Sequence, residues 1–130
     1  MATIFSKIIA GEIPCYKIAE TADYFAFLDI RPLQKGHTLV IPKRENDYIF
    51  DLEDEELAGL MVFAKRIAKA MKQVLPCDRI GVSVIGLEVP HTHVHLVPIQ
   101  SIGDMDFSKP ISDLSPDDFK QIATQIAAKL

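Results

Sequence analysis

The stretch Pro90-His91-Thr92-His93-Val94-His95-Leu96-Val97-Pro98 decides how this chain is read. Three of the four histidines fall within five residues, at every second position. Successive side chains of a strand point to opposite faces, so His91, His93 and His95 share one face, roughly 6.5–7 Å from ring to neighbouring ring position. Thr92, Val94 and Leu96 take the other face, which reads as core. A buried imidazole needs partners for two ring nitrogens. A row of three is therefore expected to have a use, and the chemistry is expected here.

The flanking segments give the frame. Residues 5–10 read as a brief helix ending at Gly11. Residues 15–19 and Tyr24–Leu28 read as two strands joined by a tight turn at residues 21–23. Pro32 and Gly36 bracket a loop, and residues 37–41 read as a buried strand closed by Pro42. Residues 53–75 are the longest helix pattern, with Leu57, Leu60, Met61, Ala64, Ile67, Ala68, Met71 and Leu75 at helical spacing. Phe63 and Val74 widen its apolar face. Such a face fits either of two arrangements, one serving both the chain's own sheet and a second subunit, the other buried wholly in its own core. Residues 79–84 and 91–98 read as further strands, and residues 99–114 as loop. Ser115-Pro116-Asp117-Asp118 opens a last helix that runs to about residue 129. Strands, helix, strands, helix: this order implies an α+β fold with an antiparallel sheet, one domain over residues 1–130.

Composition bounds the function. The chain has 130 residues, 48% hydrophobic and 25% charged, as expected of a soluble domain with a real core. A net charge of −4 disfavours nucleic acid as a partner but leaves room for a small nucleotide in a local polar cradle. No apolar run approaches the ~20 residues of a membrane span, so no membrane partner is expected. The first residues lack the pattern of a secretory signal. Cys15 and Cys77 lie far apart, without a CxxC pair. The expectation is a cytoplasmic protein with two reduced thiols.

A neutral imidazole, with an ordinary pKa of ~6.5, is a nucleophile at pH 7. A central histidine flanked by two others can attack phosphorus and form a covalent intermediate without a metal. Alternate histidines on a strand also suit zinc or iron, with Glu88 or His37 completing the set. A purely structural row is the third reading. On the residues alone all three stand.

The pattern His91-x-His93-x-His95-Leu96-Val97 resembles the motif of the histidine triad family of nucleotide hydrolases. Upstream, Ile4-Phe5-x-Lys7-Ile8-Ile9-x-Gly11-Glu12-Ile13-Pro14, the block Phe25-Ala26-Phe27-Leu28-Asp29-Ile30, and Gly36-His37-Thr38-Leu39-Val40-Ile41-Pro42-Lys43 resemble the family's preceding blocks. The resemblance spans about residues 3–98. Thr92 is less apolar than the usual residue at its place. The resemblance implies a five-stranded antiparallel sheet with one long helix and a C-terminal helix, and a homodimer. It implies hydrolysis of purine nucleoside 5′-phosphoramidates through a nucleotidyl-histidine. A diadenosine polyphosphate hydrolase or a non-catalytic nucleotide-binding module is the alternative. His93 would be the nucleophile, His95 a contact to phosphate oxygens, His91 an orienting group and His37 a support to the triad. Asp29 would bind the ribose hydroxyls. Ile4, Phe5, Ile8, Phe27 and Ile30 would line the base pocket, and Gly86, Glu88 and Val89 would present backbone donors to phosphate.

Two departures qualify these expectations. Zinc-binding members carry Cys-x-x-Cys and a histidine where this chain has Thr3, Ser6 and Glu45, so no metal and no cofactor is expected. Leu87 stands where many members have a glutamine that hydrogen-bonds near the scissile phosphate. His95, rather than glutamine, at the third triad position favours hydrolysis over nucleotidyl transfer to a sugar phosphate.

Overall fold

Five strands form one antiparallel sheet: β1 (Lys17–Glu20), β2 (Tyr24–Leu28), β3 (Thr38–Pro42), β4 (Arg79–Ser83) and β5 (Val94–Ile99). Their spatial order is β1-β2-β3-β5-β4 in the computed structural model, which describes residues 2–130. The period-2 alternation of the strands sorts the residues between two faces. Ile18, Ala26, Leu28, Val40, Val94 and Leu96 belong to the large core under the two longer helices. Phe25, Phe27, Leu39 and Ile41 form a smaller cluster on the opposite face.

Helix α1 (Ile4–Ile9) covers that smaller cluster with Phe5, Ile8 and Ile9. Thr3 caps it by accepting from the Ser6 N–H at 3.0 Å. Gly11, at φ +80°, supplies the left-handed conformation that lets the chain leave the helix. Helix α2 (Asp54–Val74) packs on β2 through β5 with Leu60, Phe63, Ala64, Ile67, Ala70 and Met71 buried. Acids fill its first turn and Lys72 its last, in the sense the helix dipole favours. Its apolar face thus serves the chain's own sheet, Phe63 included, while Met61 and Val62 are left 38% and 60% exposed. Helix α3 (Pro116–Ala127) packs on β1, β2 and α2. It opens on a capping box in which Ser115 Oγ accepts from the Asp118 N–H and Asp118 accepts from the Ser115 N–H.

The strand boundaries differ from the sequence reading in an informative way. β1 starts at Lys17 rather than residue 15, and its register shifts between Lys17 and Ala19. β3 starts at Thr38, just after His37. Pairing of β5 begins only at Val94, so His91 and His93 precede the ladder and His95 alone of the three lies within it, opposite Leu39 and Ser83. The reason is the partner. Ahead of Val94 the chain bonds to the loop after β3: the Thr92 N–H donates to the Asn46 carbonyl at 2.6 Å, and the Thr92 hydroxyl donates to the same oxygen at 2.9 Å. Residues 99–114 contain a short 3-10 turn at Ile102–Met105. Among the described residues no helix is long and apolar enough to cross a membrane.

Candidate active site

All four histidines are buried, His91 completely and His93 and His95 to within 7% exposure. They gather from two segments of the chain. His37 is delivered by the 32–36 loop, where Gly36 sits at φ +92° and any β-carbon would run into Leu75. The other three arrive along the extended run into β5.

Fixed partners determine which ring nitrogen carries the proton. The Leu33 N–H reaches His37 Nδ1 at 3.0 Å, and an N–H can only donate, so Nδ1 accepts. His37 Nε2 therefore holds the hydrogen and donates it to His95 Nδ1 at 2.9 Å. That leaves the hydrogen of His95 on Nε2. His93 Nδ1 lies 2.7 Å from the His91 carbonyl oxygen, which can only accept. His93 thus carries its hydrogen on Nδ1 and a lone pair on Nε2. His91 Nε2 donates to the Pro42 carbonyl at 2.8 Å, and its Nδ1 faces Thr3 Oγ1 at 2.8 Å.

Electrostatics agree with neutral rings. Burial, followed by the nearby His93, lowers the pKa of His37 to about 4. Burial, followed by His37 and His93, lowers that of His95 to about 4. Burial also lowers that of His91. The rings stack in a row: Phe5 meets His93 edge-on at 5.0 Å between centroids, His93 meets His95 at 5.0 Å, and His95 meets Phe107 at 4.8 Å.

A cavity of about 290 Å³ opens on this row. His37, His93, His95, Asp29, Gly86 and Glu88, all singled out from the sequence, line it together with Leu87. His91 lies behind it, fully buried. Phe5, Phe27, Ile8 and Val89 meet in the small apolar cluster beside it. Ile4, 49% exposed, sits on α1, and Ile30, 71% exposed, lines a neighbouring groove with Pro14, Cys15 and Lys17. Asp29 Oδ1 accepts from the Arg31 N–H at 2.8 Å, as in a turn, while Oδ2 lies 3.6 Å from His37 Nε2.

Sequence reasoning missed Phe107, Arg31 and Pro110, which also line the cavity. Phe107 comes from the aperiodic 99–114 segment, where a lone aromatic in a loop was the only signal. It also missed the backbone partners at Leu33 and Pro42, for which no side-chain signal exists.

The residues can be tested against a metal in two places. Asp29, His37 and His95 offer ligand atoms within 4.8 Å of one another, but the two histidines direct their facing nitrogens at each other. At the second place, Thr3 and Ser6 offer hydroxyls and Glu45 a carboxylate. Thr3 hydrogen-bonds His91, and the Glu45 carboxylate accepts from the Thr3 N–H and the Ser6 hydroxyl. Hydroxyls are poor substitutes for the thiolates and imidazoles of a structural zinc site. This donor set does not fit zinc.

Residues 10–102 match the model of the HIT domain. This chain belongs to the HIT, or histidine triad, family. Adenosine 5′-monophosphoramidase hnt1 of Schizosaccharomyces pombe is 36% identical over 134 aligned residues, which cover 100% of this chain and 99% of the relative. The crystal structure of a Hit-like protein involved in cell-cycle regulation from Bartonella henselae superposes with a TM-score of 0.83 at 32% identity, covering 98% of this chain and 96% of that one. A Zn-bound histidine triad family protein from Mycobacterium smegmatis superposes at 0.81 with 30% identity, covering 99% and 93%. The HIT fold of this chain is therefore the expected sheet of five antiparallel strands with a long helix and a C-terminal helix.

Proposed function

We propose that this HIT-family chain is a nucleotide hydrolase that cleaves purine nucleoside 5′-phosphoramidates. The observation that carries the reading is the His93 tautomer, because a hydrogen held on Nδ1 by the His91 carbonyl leaves Nε2 free to attack. On a phosphoramidate that has taken a proton from solvent on its nitrogen, His93 Nε2 forms a bond to the α-phosphorus while the bond from phosphorus to nitrogen breaks and the neutral amine leaves. The proton is returned to solvent when water attacks in the second step. Water then attacks phosphorus, the bond to Nε2 breaks, and nucleoside monophosphate departs with the neutral ring restored. His95 Nε2–H donates to a phosphate oxygen, and His37 keeps that hydrogen on Nε2 by donating to Nδ1. His91 orients the nucleophile. Asp29 binds the ribose hydroxyls, and Ile4, Phe5, Ile8, Phe27 and Ile30 receive the base. Among the described residues, no hydrogen bond within the protein takes up the N–H groups of Gly86, Leu87, Glu88 or Val89, which supports that loop as a phosphate cradle.

The cavity lining supports a phosphoramidate over a dinucleoside polyphosphate. It contains one permanent cation, Arg31, against two acids, Asp29 and Glu88. A leaving group with several phosphates gains little there. The curated relative from Schizosaccharomyces pombe, by its name a monophosphoramidase, points the same way. The outer edge of β4 is unpaired and carries Val82 at 55% exposure, which supports a homodimer joined along that edge; equilibrium sedimentation decides it. The free thiols of Cys15 and Cys77 fit a cytoplasmic location.

The test is turnover of adenosine 5′-phosphoramidate to AMP in excess EDTA, with acid-quenched wild-type enzyme examined for adenylyl-protein. EDTA-resistant turnover, an acid-labile adenylyl adduct and their joint loss in His93→Ala are expected. AMP binding without turnover of either phosphoramidates or diadenosine polyphosphates would make the chain a binding module and end this reading.

A further inference from the structure

Three side chains at the start of α1, Thr3, Ser6 and Glu45, have no place in the reaction described above, yet their hydrogen bonds end on a ring of the triad. His91 Nε2 faces the Pro42 carbonyl, so its hydrogen is on Nε2 and Nδ1 must accept. Among the described residues, the group that hydrogen-bonds Nδ1 is the Thr3 hydroxyl, at 2.8 Å. That hydroxyl oxygen already accepts from the Ser6 N–H at 3.0 Å, so its own hydrogen is free for His91. Glu45 closes the group from the loop after β3. Its Oε1 accepts from the Thr3 N–H at 2.8 Å and from the Ser6 hydroxyl. The Pro42 carbonyl fixes the direction of the Thr3–His91 bond, and the remaining directions follow from the backbone N–H groups and the Glu45 carboxylate.

Two physical links run from this group to the nucleophile. The carbonyl of His91 is the acceptor for His93 Nδ1. Phe5, the second residue of the helix that Thr3 caps, lies edge-on to both His91 at 5.7 Å and His93 at 5.0 Å. We propose that Thr3 and Glu45 are positioning residues that hold the His91 ring in its orientation, and through its carbonyl and Phe5 keep His93 aimed. The inference rests on His93 as nucleophile for its kinetic consequence, but not for its tautomer.

The charged and titratable groups around His91 are few. Glu45 faces it through Thr3, and His93 adjoins it on the same run. Neither provides a hydrogen to Nδ1. Loss of the Thr3 hydroxyl therefore leaves the buried Nδ1 without its donor, because the Ser6 hydroxyl, 3.2 Å from Thr3 Oγ1, is committed to Glu45.

Four variants separate positioning from bulk stability: Thr3→Val, Thr3→Ser, Glu45→Gln and Glu45→Ala. Thr3→Val keeps shape and loses the hydroxyl. Glu45→Gln keeps an oxygen that accepts both hydrogen bonds. The expected result is a fall in kcat of roughly ten- to a hundredfold in Thr3→Val, as when an orienting partner of a functional histidine is lost, with KM within about threefold. Thr3→Ser and Glu45→Gln should stay near wild type, and Glu45→Ala should fall between. Imidazole ¹⁵N NMR at pH 7.5 should show His91 protonated on Nε2 in wild type, with the Nδ1 signal moved downfield in Thr3→Val as its hydrogen bond is lost. A wild-type His91 protonated on Nδ1 would overturn the inference. So would kcat and His91 signals in Thr3→Val indistinguishable from wild type. If Thr3→Val does not fold, Glu45→Ala against Glu45→Gln carries the decision. Should wild type turn over no nucleotide, the reading of function fails, while the NMR arm still tests the tautomer.

Discussion

The two faces of the sheet are built from alternate residues of the same strands, yet they are held together in different ways. On the helix side, Val94 and Leu96 of β5 join Val40, Leu28 and residues of α2 in one apolar core. On the other side, His93 and His95 meet His37 and Phe5, and each ring nitrogen facing the protein has an assigned partner. The first face depends on buried area and close packing, which tolerate an exchange of similar volume. The second depends on the direction of individual hydrogen bonds, which tolerate none that reverses a donor. Stability should therefore reside on one face and rate on the other. Substitutions on the two faces should separate the quantities.

The largest separation is expected for His93→Ala. Removing the nucleophile should reduce kcat by on the order of a thousandfold or more, with the melting temperature within a few degrees of wild type. A large loss of stability, measured by circular dichroism, would show that the histidine face also holds the fold. The reverse experiment is Ile67→Ala. Ile67 is fully buried in α2 against the sheet, and truncation there should cost about 2–5 kcal/mol in urea unfolding. The folded fraction should keep its kcat. A matching loss of specific activity would mean that packing on the helix side reaches the nucleophile.

Acid sharpens the comparison. The pKa values of His37 and His95 are lowered to about 4 by burial, while the unfolded chain takes up protons near 6.5. Above that pH neither state binds a proton and this contribution is flat. Between about 6.5 and 4 the unfolded chain gains protons that the folded one refuses, so stability falls as pH falls. One such ring contributes on the order of 3 kcal/mol across that window. Urea titrations at pH 7.5 and 4.5 should show the loss in wild type and a shallower one in His37→Asn. Equal slopes would mean that the buried pair is not the cause.

The same contrast explains what was legible in the sequence. The helix face follows from periodicity: Leu60, Ala64, Ile67 and Met71 recur at helical spacing and are all buried on the sheet. Ser115 and Asp118 mark the start of α3 because a capping box requires those residue types. The histidine face was legible only in part. Alternation placed three rings on one side, but His91 and His93 precede the ladder, because the chain there bonds to Asn46 rather than to β3. His37 is fixed by the Leu33 N–H, His91 by the Pro42 carbonyl and His93 by the His91 carbonyl, and a backbone group has no letter in a sequence. Phe107 closes the row from a segment without period. Thr3 and Glu45 stood out as departures from a zinc-binding pattern. That they hydrogen-bond around His91 required coordinates that bring residues 3, 45 and 91 together.

Leu87 tests the boundary between the two kinds of face and carries the smallest expected effect. It lines the mouth of the cavity and is 88% exposed, an apolar side chain where the reaction gains from a donor. In Leu87→Gln an amide N–H becomes available to the phosphate or to the departing amine. A preorganised donor in a closed site is worth about 3–4 kcal/mol. At this exposure water competes for the amide, so the gain in kcat/KM for adenosine 5′-phosphoramidate should be about tenfold at most. For an alkyl or aryl amine leaving group the gain should be smaller, because the leucine side chain is lost as an apolar contact. The ratio of the two gains is the informative quantity. An equal gain on both substrates would show that Leu87 makes no contact with the leaving group. No gain on either would show that the N–H groups of the 86–89 loop already satisfy the phosphate, and that the rate on this face is governed by backbone direction alone.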